Sequence, residues 1–217
     1  MTFDIDYALH ILPELLGATV VTFQATMIGM ALAVVGGLVL AILRLSRLRP
    51  ISAVAGFYIE FVRSTPLLTQ LFFLFYILPV YGLTLDAFTT GVLGLGLHYS
   101  CYTAEVYRAG IQAVPRGQWE AATTLNLSPL QTWRLVVLPQ AIPPVIPALG
   151  NYLVSMFKDT PLLATITVLE LLGVALAEAG ESFRYLEPIT IVGAIFLLLS
   201  FPSALLVRGL ERRFAAA

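Results

Sequence analysis

The segment Glu120 to Pro143, EAATTLNLSPLQTWRLVVLPQAIP, lies between two strongly apolar regions and reads as two short amphipathic helices joined by a tight turn. The first is expected from Arg116 to Leu125 and to stop at Asn126, since Asn is second to Gly in tolerating the left-handed conformation that ends helices. The second carries a start signal: Ser128 as cap, Pro129 at the first helical position, and Gln131 completing a capping box. Leu130, Trp133 and Val137 share one face, and Pro139 is expected to close the helix before the chain turns apolar again. A membrane span has no use for such a pair, so the pair is expected to project from the membrane. Trp119 or Trp133 would also suit a headgroup-level anchor.

The rest of the chain is what a bilayer requires. Of its residues 59% are hydrophobic and 12% charged, about half the charge of a soluble domain, which is roughly 25%. About 20 mainly apolar residues cross the hydrocarbon core as a helix. Five segments meet or approach that: Leu15 to Leu43, Ser64 to Leu85, Ala87 to Ala104, Leu135 to Phe157 and Pro188 to Val207. The second is interrupted by Pro66 and Pro79, and the fourth by Pro139, Pro143, Pro144 and Pro147. A further apolar piece, Thr160 to Ala177, is broken by Glu170 and reads as a re-entrant or surface helix.

Basic residues set the orientation. Arg44, Arg47 and Arg49 follow the first span, Arg108, Arg116 and Arg134 surround the opening segment, and Arg208, Arg212 and Arg213 follow the last. Asp86, Glu178, Glu181 and Glu187 fall on the opposite side. The expected fold is therefore an all-α polytopic membrane protein in one domain over residues 1–217. It has five transmembrane helices, the amino terminus outside, the carboxy terminus cytoplasmic, and the two-helix loop at about 115–139 in the cytoplasm. The first span lacks the basic leader of a secretory signal and is read as retained. A net charge of −1 and the lack of a basic patch interleaved with aromatics speak against nucleic acid as a partner. The lone Cys101 reads as a small buried residue.

Catalysis finds no constellation. The two histidines, His10 and His98, stand far apart, no GxSxG elbow occurs, and no metal site is expected. A phosphate-binding GxxxxGK[ST] loop needs Lys after Gly, whereas the single lysine, Lys158, follows Phe157. Any ATP-driven work would need another polypeptide.

Ionisable groups at membrane depth are costly and tend to face a cavity. His98, Tyr102 and Glu105 are spaced to share one face of the third span, where an imidazole and a carboxylate would suit a zwitterion, although Glu105 is equally placed to pair with Arg108. Asn151, Lys158, Asp159 and Glu170 form a second group, around the helix break marked by Pro161. Glu60 and Arg63 are spaced for an ion pair. Ala25, Gly29, Ala33, Gly37 and Ala41 make a stripe for close helix packing, within the subunit or against a second one.

The spacing from Glu120, Ala121 and Ala122 through Asn126 and Val136 to Leu138 and Pro139 resembles the EAA loop of ABC importer permeases. The stretches YIEFVRSTPLLTQLFF (Tyr58 to Phe73), YTAEVYRAGIQAVPRGQWEAA (Tyr102 to Ala122) and KDTPL (Lys158 to Leu162) are similar to the polar amino-acid branch of that family, and the likeness covers nearly the whole chain. Asn126 departs from the usual Gly, and Val136 is a conservative aliphatic. The resemblance implies a permease subunit in the bacterial cytoplasmic membrane. Its loop, including Glu120, Ala121, Ala122, Asn126, Arg134 and Pro139, would dock on a cytoplasmic ATPase dimer that uses ATP and Mg. It also implies a second permease subunit, identical or paralogous, an extracytoplasmic solute-binding protein, and no cofactor on this chain. The solute would be a polar amino acid or related zwitterion, with ectoine-type solutes as an alternative. An ion-coupled secondary transporter using Glu105 and Glu170 as proton sites is the reading from another class.

Overall fold

The computed structural model describes residues 2–215, all of whose regular elements are helical. Helix α1, Ile5–Arg44, starts at Asp4, whose side chain accepts a 3.1 Å hydrogen bond from the Tyr7 N–H. Its 40 residues make it about 60 Å long, twice the hydrocarbon thickness. The expected span Leu15 to Leu43 lies wholly within it.

The small-residue stripe of α1 is wholly buried, chiefly against α4, Ala87–Gln112. A Cβ built on Gly29 would stand 3.3 Å from the Leu95 Cβ, and the Thr103 hydroxyl donates a 2.7 Å bond to the Ala33 carbonyl. The stripe therefore packs within the subunit. Helix α4 runs two turns past Ala104, its expected end, and the charged residues added there, Glu105 and Arg108, are only part-buried and pair with each other.

The second expected span is not one straight helix. Helix α2, Arg49–Arg63, meets α3, Leu67–Phe72, and its continuation to Tyr81 at an angle of 103°. Pro66 stands at the break as the cap of α3, because proline disfavours helix in the residue before it. After α3 comes an i→i+5 turn, Phe73–Ile77, then a 3₁₀ turn, Leu78–Tyr81, closed by Gly82 at φ 86°.

Helix α5, Arg116–Thr124, and α6, Pro129–Gln131, are the two short helices expected. Pro139, however, does not close the second. The chain passes through another i→i+5 turn, Thr132–Val137, directly into α7, Leu138–Asp159. In an α turn the proline ring collides with the carbonyl four residues back; a wider turn relieves that collision. The same device precedes Pro79.

Helix α7 ends at Asp159 and passes into a 3₁₀ segment, Thr160–Ile166, with Thr167 left-handed at φ 67°. Helix α8, Leu171–Ser182, follows at a bend of 44°. The stretch Thr160 to Ala177 is not a surface helix: Leu163, Ile166, Leu171 and Ala175 have no exposed area. They join two core clusters, one with Leu71, Leu95 and Met156, the other with Ile11, Leu15 and Val192. Helix α9, Leu186–Ala215, completes the fold.

Among the described residues, α1 and Leu186–Arg213 of α9 are each long and apolar enough to cross a membrane, and the two bent pairs raise the number to as many as four. Large apolar side chains such as Val35, Phe57, Leu198 and Leu206 stand exposed around them, as a surface solvated by lipid requires.

Candidate functional site: a coupling loop and a tyrosine cluster

The loop between α5 and α7 is built by local rules. Leu125 ends α5, and Asn126 adopts φ 52° as the left-handed terminator. The following Leu127 N–H bonds back to the Ala122 carbonyl at 3.1 Å, the six-to-one bond that closes such helix ends. The Ser128 N–H donates to Gln131 Oε1 at 2.9 Å and the Gln131 N–H donates to Ser128 Oγ at 3.4 Å, completing the capping box. Both tryptophans serve the loop itself: Trp119 stands edge-on to Trp133 with ring centroids 5.5 Å apart. Below them Val137, Val114 and Ala141 form a small core. Ala122 is buried, while Glu120, Ala121, Asn126, Arg134 and Pro139 are exposed together with Leu125 and Leu130, so the loop presents a fixed surface of mixed polar and apolar groups.

A second cluster forms where α2, α3, α4 and α7 converge. Gln70 on α3 turns its amide nitrogen back to cap α2, donating to the Val62 carbonyl at 2.8 Å, the Thr65 carbonyl at 3.1 Å and Thr65 Oγ1 at 2.7 Å. With that nitrogen committed, Gln70 Oε1 faces His98 Nδ1 at 3.2 Å, which makes Nδ1 the donor. The His98 ring lies 5.1 Å from Tyr102, over which the Arg63 guanidinium sits at 5.3 Å, a cation–π geometry. Tyr152 of α7 completes the group, 5.6 Å from Tyr102 and 6.1 Å from Tyr99. Tyr99 donates a 2.6 Å hydrogen bond to Asp159 Oδ2 at the end of α7. A cation, a carboxylate, an imidazole and three phenol rings thus line one junction, a set able to meet both ends of a zwitterion.

The expected path residues divide accordingly. His98, Tyr102 and Asp159 come together. Glu105 lies one turn beyond Tyr102, bound by Arg108 at 2.5 Å. Lys158 is exposed and Asp159 takes its hydrogen bond from Tyr99 instead. Asn151 donates at 2.7 Å to Glu211 of α9, away from the cluster. Glu170 is fully buried elsewhere, capping α8 through the Gly173 N–H at 2.8 Å and facing the Thr22 hydroxyl. The expected Glu60–Arg63 pair is absent among the described residues, because Arg63 turns over Tyr102. Sequence reasoning missed Gln70, Tyr99 and Tyr152 and misassigned Arg63. The available signal was Gln70, an amide alone in an apolar run.

At the opposite end of α1, Arg184 Nη2 donates to Asp4 Oδ2 at 3.0 Å and Glu187 Oε1 at 3.1 Å, with its guanidinium 4.2 Å over Tyr7. The Tyr7 N–H bond and Arg184 hold the Asp4 carboxyl below its ordinary value. Asp86, the cap of α4, is likewise lowered by its bonds with Thr89. A hollow of about 150 Å³ lies between α1, α7 and α9 and is lined mainly by apolar groups, including Phe23, Met27, Leu153 and Leu199. It suits lipid tails better than a polar solute.

A family profile described as binding-protein-dependent transport system inner membrane component matches residues 33–216. A probable amino-acid ABC transporter permease protein, y4tG of Sinorhizobium fredii (strain NBRC 101917 / NGR234), is 50% identical over 205 residues, 94% of this chain and 89% of the relative. PatM of Vibrio harveyi, named for the same role, is 38% identical over 90% of this chain and 89% of its own. A crystal structure of an amino acid ABC transporter with histidines superimposes at TM-score 0.92 with 36% identity, covering 98% of this chain and 100% of the other. The chain belongs to the family of inner-membrane components of binding-protein-dependent transport systems.

Proposed function

We propose that this protein is the permease subunit of an ATP-driven importer for polar amino acids or a closely related zwitterion. As in its family, it is a membrane subunit of the inner membrane, and ATP hydrolysis belongs to a separate ATPase chain. The observation that carries the reading is the rigid coupling loop, with Asn126 left-handed and the Ser128–Gln131 box closed, standing between helices fit for a bilayer. Glu120, Ala121, Ala122, Asn126, Arg134 and Pro139 are the surface offered to the ATPase dimer, which uses ATP and Mg. His98, Tyr102 and Asp159, with Arg63, Tyr99 and Tyr152, are the part of the path that meets solute. Glu105, Asn151, Lys158 and Glu170 support the helices around it. Relatives named for amino-acid transport do not favour an ectoine-type solute.

Counting α4 beside α1, α9 and the two bent pairs gives five crossings in a single domain, with the amino terminus outside and the loop and carboxy terminus in the cytoplasm. A second permease subunit, a solute-binding protein on the outer face, and membrane lipid complete the assembly. The test is gentle co-purification from the native membrane with every stoichiometric partner identified by mass. An ATPase and a permease partner are expected, and an ATPase lost on deleting residues 120–139 supports the docking surface. Wild-type complexes without an ATPase would refute the reading.

A further inference from the structure

The coupling loop reaches α7 only through the wide turn Thr132–Val137, in which the Leu138 N–H bonds to the Trp133 carbonyl five residues back. Such turns hold one residue more than an α turn and occur mostly singly, at functional positions. Pro139 has no N–H to offer the carbonyl of Arg134 or Leu135, so one backbone bond is missing where the turn meets α7. One side chain bridges this weak point. Gln140 Nε2 donates to the Val136 carbonyl inside the turn at 2.7 Å and lies 3.4 Å from Gln118 Oε1 on α5. On the buried side, Val137 packs with Val114 and Ala141, and the Trp119–Trp133 pair ties α5 to the turn again. The spare residue is thus clamped between α5 and α7.

We propose that Gln140 is a positioning residue that locks α5 to this turn, so that a displacement of the coupling loop moves α7 instead of being absorbed by the turn. The inference rests on the reading that the loop docks on an ATPase. Without the clamp, the extra residue can migrate along the helix, and the loop can shift by one residue, about 1.5 Å and 100° of rotation, while α7 stays in place. Because α7 carries Tyr152 and Asp159, a motion absorbed in the turn never reaches the tyrosine cluster.

The experiment uses the permease complex with its co-purified ATPase in lipid nanodiscs, with spin labels at Ile146→Cys on α7 and Val35→Cys on α1 in a Cys101→Ser background. Distances are measured with and without ATP plus vanadate. The unmodified clamp is expected to give a nucleotide-dependent shift. Gln140→Glu keeps the size but removes the donor hydrogens, and is expected to lose the shift while the ATPase stays bound and still traps nucleotide. Gln118→Glu retains an acceptor for Gln140 and is expected to keep the shift. A full shift in Gln140→Glu overturns the proposal, as does loss of the ATPase from that variant, which would make the clamp a folding element. Absence of any ATPase on the wild-type chain refutes the functional reading itself and is recorded separately by the co-purification.

Discussion

Gly37→Ala places one methyl group into the tightest part of the α1–α4 seam. A Cβ there falls inside contact distance of the Thr103 hydroxyl oxygen and only 2.9 Å from the Ser100 carbonyl oxygen, which is backbone and cannot swing away. The helices must separate, and overpacking of this kind costs about 1–3 kcal/mol. Thr103 must also rotate, losing its 2.7 Å bond to the Ala33 carbonyl, worth about 1 kcal/mol. Alanine's better helix propensity offsets up to about 1 kcal/mol. The net loss is about 1–3 kcal/mol, roughly 5-fold to 150-fold in the folded to unfolded ratio. The matched control is Gly17→Ala on the same helix, where an added Cβ meets nothing within 4 Å, so only the propensity gain remains. Reversible unfolding in mixed micelles measures both. Gly37→Ala as stable as Gly17→Ala would refute the close-packed seam between α1 and α4.

At the loop terminator, Asn126→Gly should hold or raise stability, whereas Asn126→Val, forced to φ 52°, should lose about 1–2 kcal/mol and release the ATPase in pull-downs; equal ATPase retention by both variants would count against the left-handed turn. Tyr99→Phe removes the donor to Asp159 and is expected to raise the KM for uptake with the ATPase still bound; an unchanged KM would remove Tyr99 from the solute path. The folded Asp4 carboxyl titrates below its ordinary 3.8 because of Tyr7 and Arg184. Its contribution to stability is therefore present above that value and lost as pH falls through the lower folded one. A carboxyl-carbon NMR titration midpoint at or above 3.8 would disprove the Arg184 latch.

What could be read in advance was local. The capping box at Ser128, the left-handed Asn126 and the break after Asp159 each depend on a few adjacent residues, and each occurs where their chemistry requires. Pro139 misled because a proline need not end a helix: here a wide turn precedes it and the helix runs on, and α7 carries Pro143, Pro144 and Pro147 inside it as well. The tyrosine cluster was only half legible. Helical spacing puts His98 and Tyr102 together, but Gln70 and Arg63 reach them only because α2 and α3 meet at 103°. No periodicity within one segment encodes that angle. Glu60 and Arg63 illustrate the same limit, since correct spacing for an ion pair yielded to an aromatic face on another helix.

The Arg184 latch has a consequence for synthesis. The Asp4 N–H bonds to Glu187, 183 residues later in the chain, and Leu15 packs with Val192 and Ile195. At about 5–20 residues per second, α1 waits roughly 10–40 s for its final neighbours, with Asp4 and Tyr7 lacking Arg184 and Glu187 until then. The helix made first is thus among the last to be completed: α4 covers its small-residue stripe early, but its amino-terminal end stays without Arg184, Glu187 and Val192 until the chain is nearly finished.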